Sequence, residues 1–134
     1  MKTVLKFILE NLGFLYGELG FSFSNSICKS ENGDALVELQ NENLIIQVIK
    51  DRSEISIYLA TRPHPEKLFE LSEIIQIITG KKVTYAVPDE GALLFLKNQF
   101  DDIVSLLVST FSTALEARDK IRREVLYSLG FPKK

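Results

Sequence analysis

Apolar residues recur in steps of three and four from the start of the chain, at Val4, Leu5, Ile8, Leu12, Leu15, Tyr16 and Leu19. That spacing places them on one helical face, and Gly20 supplies a stop signal. Gly13 and Gly17 lie one turn apart within it. Each glycine costs about 1 kcal/mol of helix propensity, so close packing against a neighbour is the expected compensation. From Phe21 the period changes to two. Phe21, Phe23 and Ile27 alternate with Ser22, Ser24 and Ser26; Val37 and Leu39 alternate with Glu38 and Gln40. Leu44, Ile46 and Val48 form one apolar set, and Ile55, Ile57 and Leu59 another. The pattern predicts a four-stranded antiparallel meander over 21–29, 34–40, 44–50 and 54–60.

Opposed residues must point the same way, so parity constrains each turn. Val37 opposite Val48 and Leu39 opposite Ile46 need an even loop, which Glu42-Asn43 provides. Val48 opposite Ile55 needs another, and Asp51-Arg52 fits. The first connection needs an odd loop to put Phe21, Phe23 and Ile27 on the side of Val37 and Leu39. Glu31-Asn32-Gly33, with glycine last, has the form of a three-residue hairpin with a bulge.

Arg62-Pro63-His64-Pro65 ends the meander. Pro65 suits a first helical turn, and Leu68, Leu71, Ile75 and Ile78 then form a stripe widened by Phe69, Ile74 and Ile77, up to Gly80. Residues 82–87 alternate and predict a short fifth strand before Pro88. Leu93, Leu96, Phe100, Ile103, Leu107 and Phe111 give a further helical stripe, continued by Leu115, Ile121, Val125 and Leu129. The cluster of serine and threonine at 109–113 predicts a break, with Thr113 and Glu116 as a capping box. Gly130 and Pro132 close the last helix. The fold class expected is α+β: an N-terminal helix, a meander, then helices, in a single domain spanning 1–134.

Composition narrows the function classes. The chain has 134 residues, 46% hydrophobic and 25% charged. A chain of that size buries about two-thirds of its surface, enough for a core without disulfide or metal. Its net charge of −2 argues against a dedicated nucleic-acid binder. Cys28 is the single cysteine and His64 the single histidine. Two such ligands do not fill a tetrahedral zinc site, and one thiol forms no disulfide within the chain. The longest uncharged run, Ile103 to Leu115, spans thirteen residues, short of the roughly 20 a membrane helix needs. Lys6, Glu10 and Glu18 interrupt the apolar start and no small-residue cleavage pattern follows, so a cytoplasmic protein is expected.

No catalytic constellation emerges. Thr79-Gly80-Lys81-Lys82 lacks the earlier glycine of a phosphate loop and follows a helix. His64 and Cys28 have no sequence-evident partners. Asp89-Glu90 fits a helix start, and adjacent Asp101-Asp102 diverge by about 100° on a helix. From residue 114 onward six basic residues stand against three acidic, a sum of +3, leaving −5 elsewhere. That asymmetry marks either a basic patch for an acidic partner or RNA, or ordinary stabilisation of a helix end. No metal, no cofactor and no membrane contact is expected, and the reading leans away from an enzyme.

The second face of the sheet carries more information. If Val37, Leu39, Leu44, Ile46, Val48, Ile55, Ile57 and Leu59 face the core, then Leu36, Ile45, Gln47, Ile49 and Tyr58 face away, beside Glu38, Glu54 and Ser56. An apolar patch with a polar rim is a surface for another protein or for a second copy, unless a helix covers it. The run Leu36-Val37-Glu38-Leu39, then Leu44-Ile45-Ile46-Gln47-Val48 and Ile55-Ser56-Ile57, resembles the middle of small acidic bacterial proteins of the toxin-immunity or uncharacterised type. The stretch Arg118 to Arg123 followed by Gly130-Phe131-Pro132 is similar too. The resemblance carries over no functional residues; the residues themselves read as a non-catalytic protein that captures a protein partner sterically through that face or the acidic turns, with an immunity-like role, the acidic set being Glu31, Asp34, Glu38 and Glu42. Type III secretion chaperones are a looser likeness, implying a dimer with 82–87 as a dimer strand. The alternative from another class is a small-ligand binder or enzyme using a cleft between sheet and helices, lined by carboxylates, His64 or Tyr85.

Overall fold

The computed structural model describes residues 2–29, 34–51, 54–82 and 90–130. Two helices open the chain, α1 (Lys2–Asn11) and α2 (Gly13–Glu18). Strands β1 (Ser22–Lys29), β2 (Asp34–Gln40), β3 (Leu44–Asp51), β4 (Glu54–Thr61) and β5 (Phe69–Glu70) follow. Helix α3 (Leu71–Thr79), α4 (Glu90–Asn98), α5 (Phe100–Val104), a π-helical turn (Ser105–Ser109) and α6 (Phe111–Ser128) complete it. The fold is α+β, with one antiparallel sheet ordered β1-β2-β3-β4-β5.

The periodicity of the strands decides which side is sealed. Val37, Leu39, Leu44, Ile46, Val48, Ile57 and Leu59 all lie in one buried cluster. They meet Val4, Ile8, Leu12 and Leu15 from the N-terminal helices and Leu96, Phe100, Ile103 and Leu107 from the later ones. Leu36 and Ile49, one position out of phase, are half-buried and lie outside that cluster. The helices whose apolar stripes were expected therefore converge on one side of the sheet.

Registers refine the expectation. Val37 pairs with Val48 and Leu39 with Ile46, as parity requires. Val48 pairs with Ile57 rather than Ile55, because Asp51 and Glu54 form the last pair and only residues 52 and 53 connect them. The two-residue slip preserves the inward set, so Ile55 still packs against the core. The first hairpin differs more. Its last pair is Lys29–Asp34, leaving four connecting residues, an even number. The parity change sits in the strand instead: the register shifts between Phe23 and Asn25. Ser24 is the extra residue of this bulge, and Ile27 moves to the outer face opposite Leu36.

Four helical boundaries also differ. Leu12 interrupts the first helix, with Gly13 opening α2. The segment after Pro65 does not start a helix; Phe69 and Glu70 pair with Leu59 and Tyr58, and helix begins at Leu71. Glu73 Oε1 accepts the Glu70 N–H at 2.9 Å, which supplies a start signal three residues beyond the end of the strand. The expected break in the C-terminal helical region is present at Thr110, which has non-helical dihedrals. Thr113 is not the cap; it lies inside α6, and Thr110 Oγ1 donates to Leu106 O at 2.8 Å. A second interruption at Gln99 separates α4 from α5. Gly80 ends α3 at a positive φ of 73°, as its glycine predicted. The strand expected over 82–87 lies outside the described residues apart from Lys82, which is not in a strand.

Candidate functional site

Antiparallel registers arrange the outer face in rows. One row runs Ile27–Leu36–Ile49–Ser56 across β1 to β4. The next runs Asn25–Glu38–Gln47–Tyr58–Glu70 across all five strands. A third contains Gln40, Ile45 and Ala60. The first is apolar, the second polar.

The polar row is held by its own hydrogen bonds. Glu38 accepts from Ser24 Oγ at 2.8 Å and from Gln47 Nε2 at 3.2 Å. The Tyr58 hydroxyl bonds the Glu70 carboxylate, which also accepts from Ser72 Oγ at 2.7 Å. Burial pushes the Tyr58 hydroxyl above its ordinary value of 10.0, and the negative charges of Glu70 and Glu73 push the same way; Arg122 pulls it back. The proton is therefore held more tightly in the folded chain than in the unfolded one. The stabilisation is complete below pH 10 and is lost as pH rises through the folded value. Ultraviolet titration should show Tyr58 ionising late, and Tyr58→Phe should remove that late component.

The five expected contact residues divide. Ile45 is 8% exposed, buried at the strand end beside Gln40 and Ala60, so it offers little contact area. Leu36, Gln47, Ile49 and Tyr58 are half-buried and share the outer face. Ile27, assigned by alternation to the core side, joins them and is 50% exposed. No composition signal marks it, because a bulge in a serine-rich strand leaves the pattern of residue types unchanged. Asp51 and Glu54 oppose each other at the β3–β4 end on this face. Like charges directly opposed weaken a strand pair, so this end of the face has a cost in stability. Ile27, Leu36 and Ile49 line a shallow depression of about 400 Å³ with Asp34, Ala35, Lys50 and Asp51.

The other candidates fall elsewhere. His64 is exposed and stacks flat on Phe111, with centroids 4.4 Å apart and planes 5° from parallel. No carboxylate or thiol accompanies it in that contact. Tyr85 lies outside the described residues. A second depression of about 530 Å³ is lined by Phe7, Glu10, Asn11, Phe14, Glu90, Leu93, Leu94 and Lys97 from α1, α2 and α4. It belongs to the helical layer, not to a cleft between sheet and helices. Among the described residues no group of three metal-ligating side chains occurs. No helix among them is long and apolar enough to cross a membrane. The basic residues of α6 are in part structural: Arg118 bonds Leu68 O at 2.9 Å, and Arg122 bonds Glu73 at 2.7 Å. No family model, curated protein or solved structure matches the chain.

Proposed function

We propose that this is a non-catalytic protein-binding domain that engages its partner through the outer face of the sheet. The observation that supports it is the apolar row Ile27–Leu36–Ile49, left outside the core cluster while its inward neighbours are sealed by helices. The row is bordered by Glu38 on one side and by Asp34, Asp51 and Glu54 on the other. The complementary surface is an apolar knob ringed by lysine or arginine, on a protein with a basic docking site. The polar row fixes register without needing to move, because Glu38 and Tyr58 are already held. Binding by such a face blocks the partner sterically, the mode of action of immunity-type proteins.

The test is affinity capture with the wild-type chain and with Leu36→Glu/Ile49→Glu. Leu36 and Ile49 are directly opposed, so the two glutamates weaken the β2–β3 pair, and the variant is compared with the wild type only after its circular dichroism is shown to match. The wild type should retain one stoichiometric basic protein, in a complex weakened by salt. The variant should bind it at least about 100-fold more weakly, through two lost apolar contacts and added charge. Equal capture by both chains would overturn the face. A co-purifying small molecule seated among Phe7, Phe14, Leu93 and Leu94 would move the function to ligand binding.

A further inference from the structure

The two edges of the sheet are unlike. One edge is β5, two residues long, with Arg118 and Arg122 of α6 both donating to Leu68 O beside it. The other is β1, eight residues long, with β2 as its neighbour in the sheet. Ser22 to Ile27 are all exposed. No charged residue interrupts the chain from Phe21 to Cys28. An outer strand of that length presents a row of backbone groups, and charge or proline is the usual protection against pairing. Here the protection is the bulge at Ser24, with Lys29 as the single charged residue of the strand, at its end. The bulge disturbs the N-terminal half and leaves Asn25 to Lys29 in regular register with β2. In the single chain the Ser26 N–H is met by its neighbour, Asn25 Oδ1, at 2.9 Å, a local substitute for a strand acceptor.

We infer that β1 pairs antiparallel with β1 of a second copy, about a two-fold axis at Ile27, to form one continuous ten-stranded sheet. Two observations select a second copy as the occupant. First, an axis at Ile27 lies at the centre of the regular stretch Asn25–Lys29, so two copies pair backbone to backbone over that whole stretch and clear of the bulge at Ser24. Second, the apolar row becomes continuous. Ile49, Leu36 and Ile27 of one copy run directly into Ile27, Leu36 and Ile49 of the other. The exposed half of Ile27 is then covered by its equivalent. The contact is isologous, so it closes at two copies. It uses the strand edge and shares Ile27 with the docking row, while Leu36 and Ile49 stay on the face.

Sedimentation of the full chain tests it. The wild type should sediment at twice the monomer mass of 15.2 kDa. Ile27→Lys and Ile27→Glu should each self-associate on the order of ten-fold more weakly, since like charges then meet at the axis. An equimolar mixture of the two should recover the dimer. With Cys28→Ser in the background, Ile27→Cys should cross-link two copies on mild oxidation, because directly opposed residues lie about 4.5–5.5 Å apart, inside the span of a disulfide. Asn25→Cys in the same background should not. A wild type that stays monomeric, or single-charge variants that dimerise as the wild type does, would overturn the pairing. A monomer that adds a foreign extended peptide along β1 would overturn the choice of occupant. Because the readout is self-association, loss of partner capture by the face leaves this result unaffected.

Discussion

Phe69→Ala should lower the unfolding free energy by about 4 kcal/mol and the melting midpoint by roughly 14 °C. Phe69 sits in a strand of two residues, which by itself has little ladder to hold it. Its side chain is fully buried and faces inward opposite Leu59. Phe111 packs edge-on at 6.4 Å, and the Arg118 guanidinium lies 5.2 Å from the ring centroid. Alanine would thus remove a large apolar volume, an aromatic pair and the cation's seat together. The cavity would open where β5, α6 and the 62–68 loop meet, since His64 stacks on the same Phe111. Urea denaturation followed by circular dichroism measures the loss. Phe23→Ala is the control: that ring is 53% exposed, so the change should be about 1 kcal/mol. A Phe69→Ala effect no larger than the control would mean that the β5–α6 corner is not part of the cooperative core.

That corner was not legible in the residue pattern, and the reason is physical. Leu68, Phe69, Leu71, Ile74, Ile75 and Ile78 fit a helix from Pro65 onward. Two residues of extended chain at Phe69-Glu70 satisfy the same burial, because Phe69 reaches the core from either conformation. The deciding terms are distant: the β4 edge that pairs Glu70 with Tyr58, and the arginines of α6 on Leu68 O. Neither is encoded locally. The alternation of β2, β3 and β4 was legible because parity survives a two-residue slip. Val48 therefore faces inward whether it meets Ile55 or Ile57. A bulge is the opposite case. One extra residue reverses every later side chain, and Ser24 carries no mark that distinguishes it from Ser22 or Ser26. Ile27 is the residue lost by that ambiguity.

The same chemistry explains why four of the five expected face residues stay accessible. Leu36, Gln47, Ile49 and Tyr58 occupy central positions of β2, β3 and β4, where the register is regular. Ile45 lies near the β2–β3 turn. There Asn41 folds back, its Oδ1 accepting the Leu44 N–H at 2.8 Å and its Nδ2 donating to Leu19 O at 3.2 Å. Alternation predicts which side a residue faces. It does not predict how close a turn lies to it.

Arg118→Ala should cost about 3 kcal/mol, and the reason lies in a shared acceptor. Arg118 is 7% exposed, bonds Leu68 O through Nη1 at 2.9 Å and pairs with Asp119 at 2.9 Å. One turn later, Arg122 bonds the same carbonyl through Nη2 at 3.0 Å and grips Glu73. Arg122→Ala should cost only about 1 kcal/mol, because its side chain is half in solvent and screening discounts the pair. Each single variant leaves Leu68 O with one donor. The double variant leaves it with neither, so its loss should exceed the sum of the singles by roughly 1 kcal/mol. Arg118→Lys keeps the charge without the planar fork and should fall between wild type and alanine. The late tyrosine separates the two sites. Arg122 holds the Tyr58 ionisation down, so Arg122→Ala should move it to still higher pH. Additive losses in the double variant, or a Tyr58 transition unmoved by Arg122→Ala, would show that α6 is anchored to β5 by some other contact.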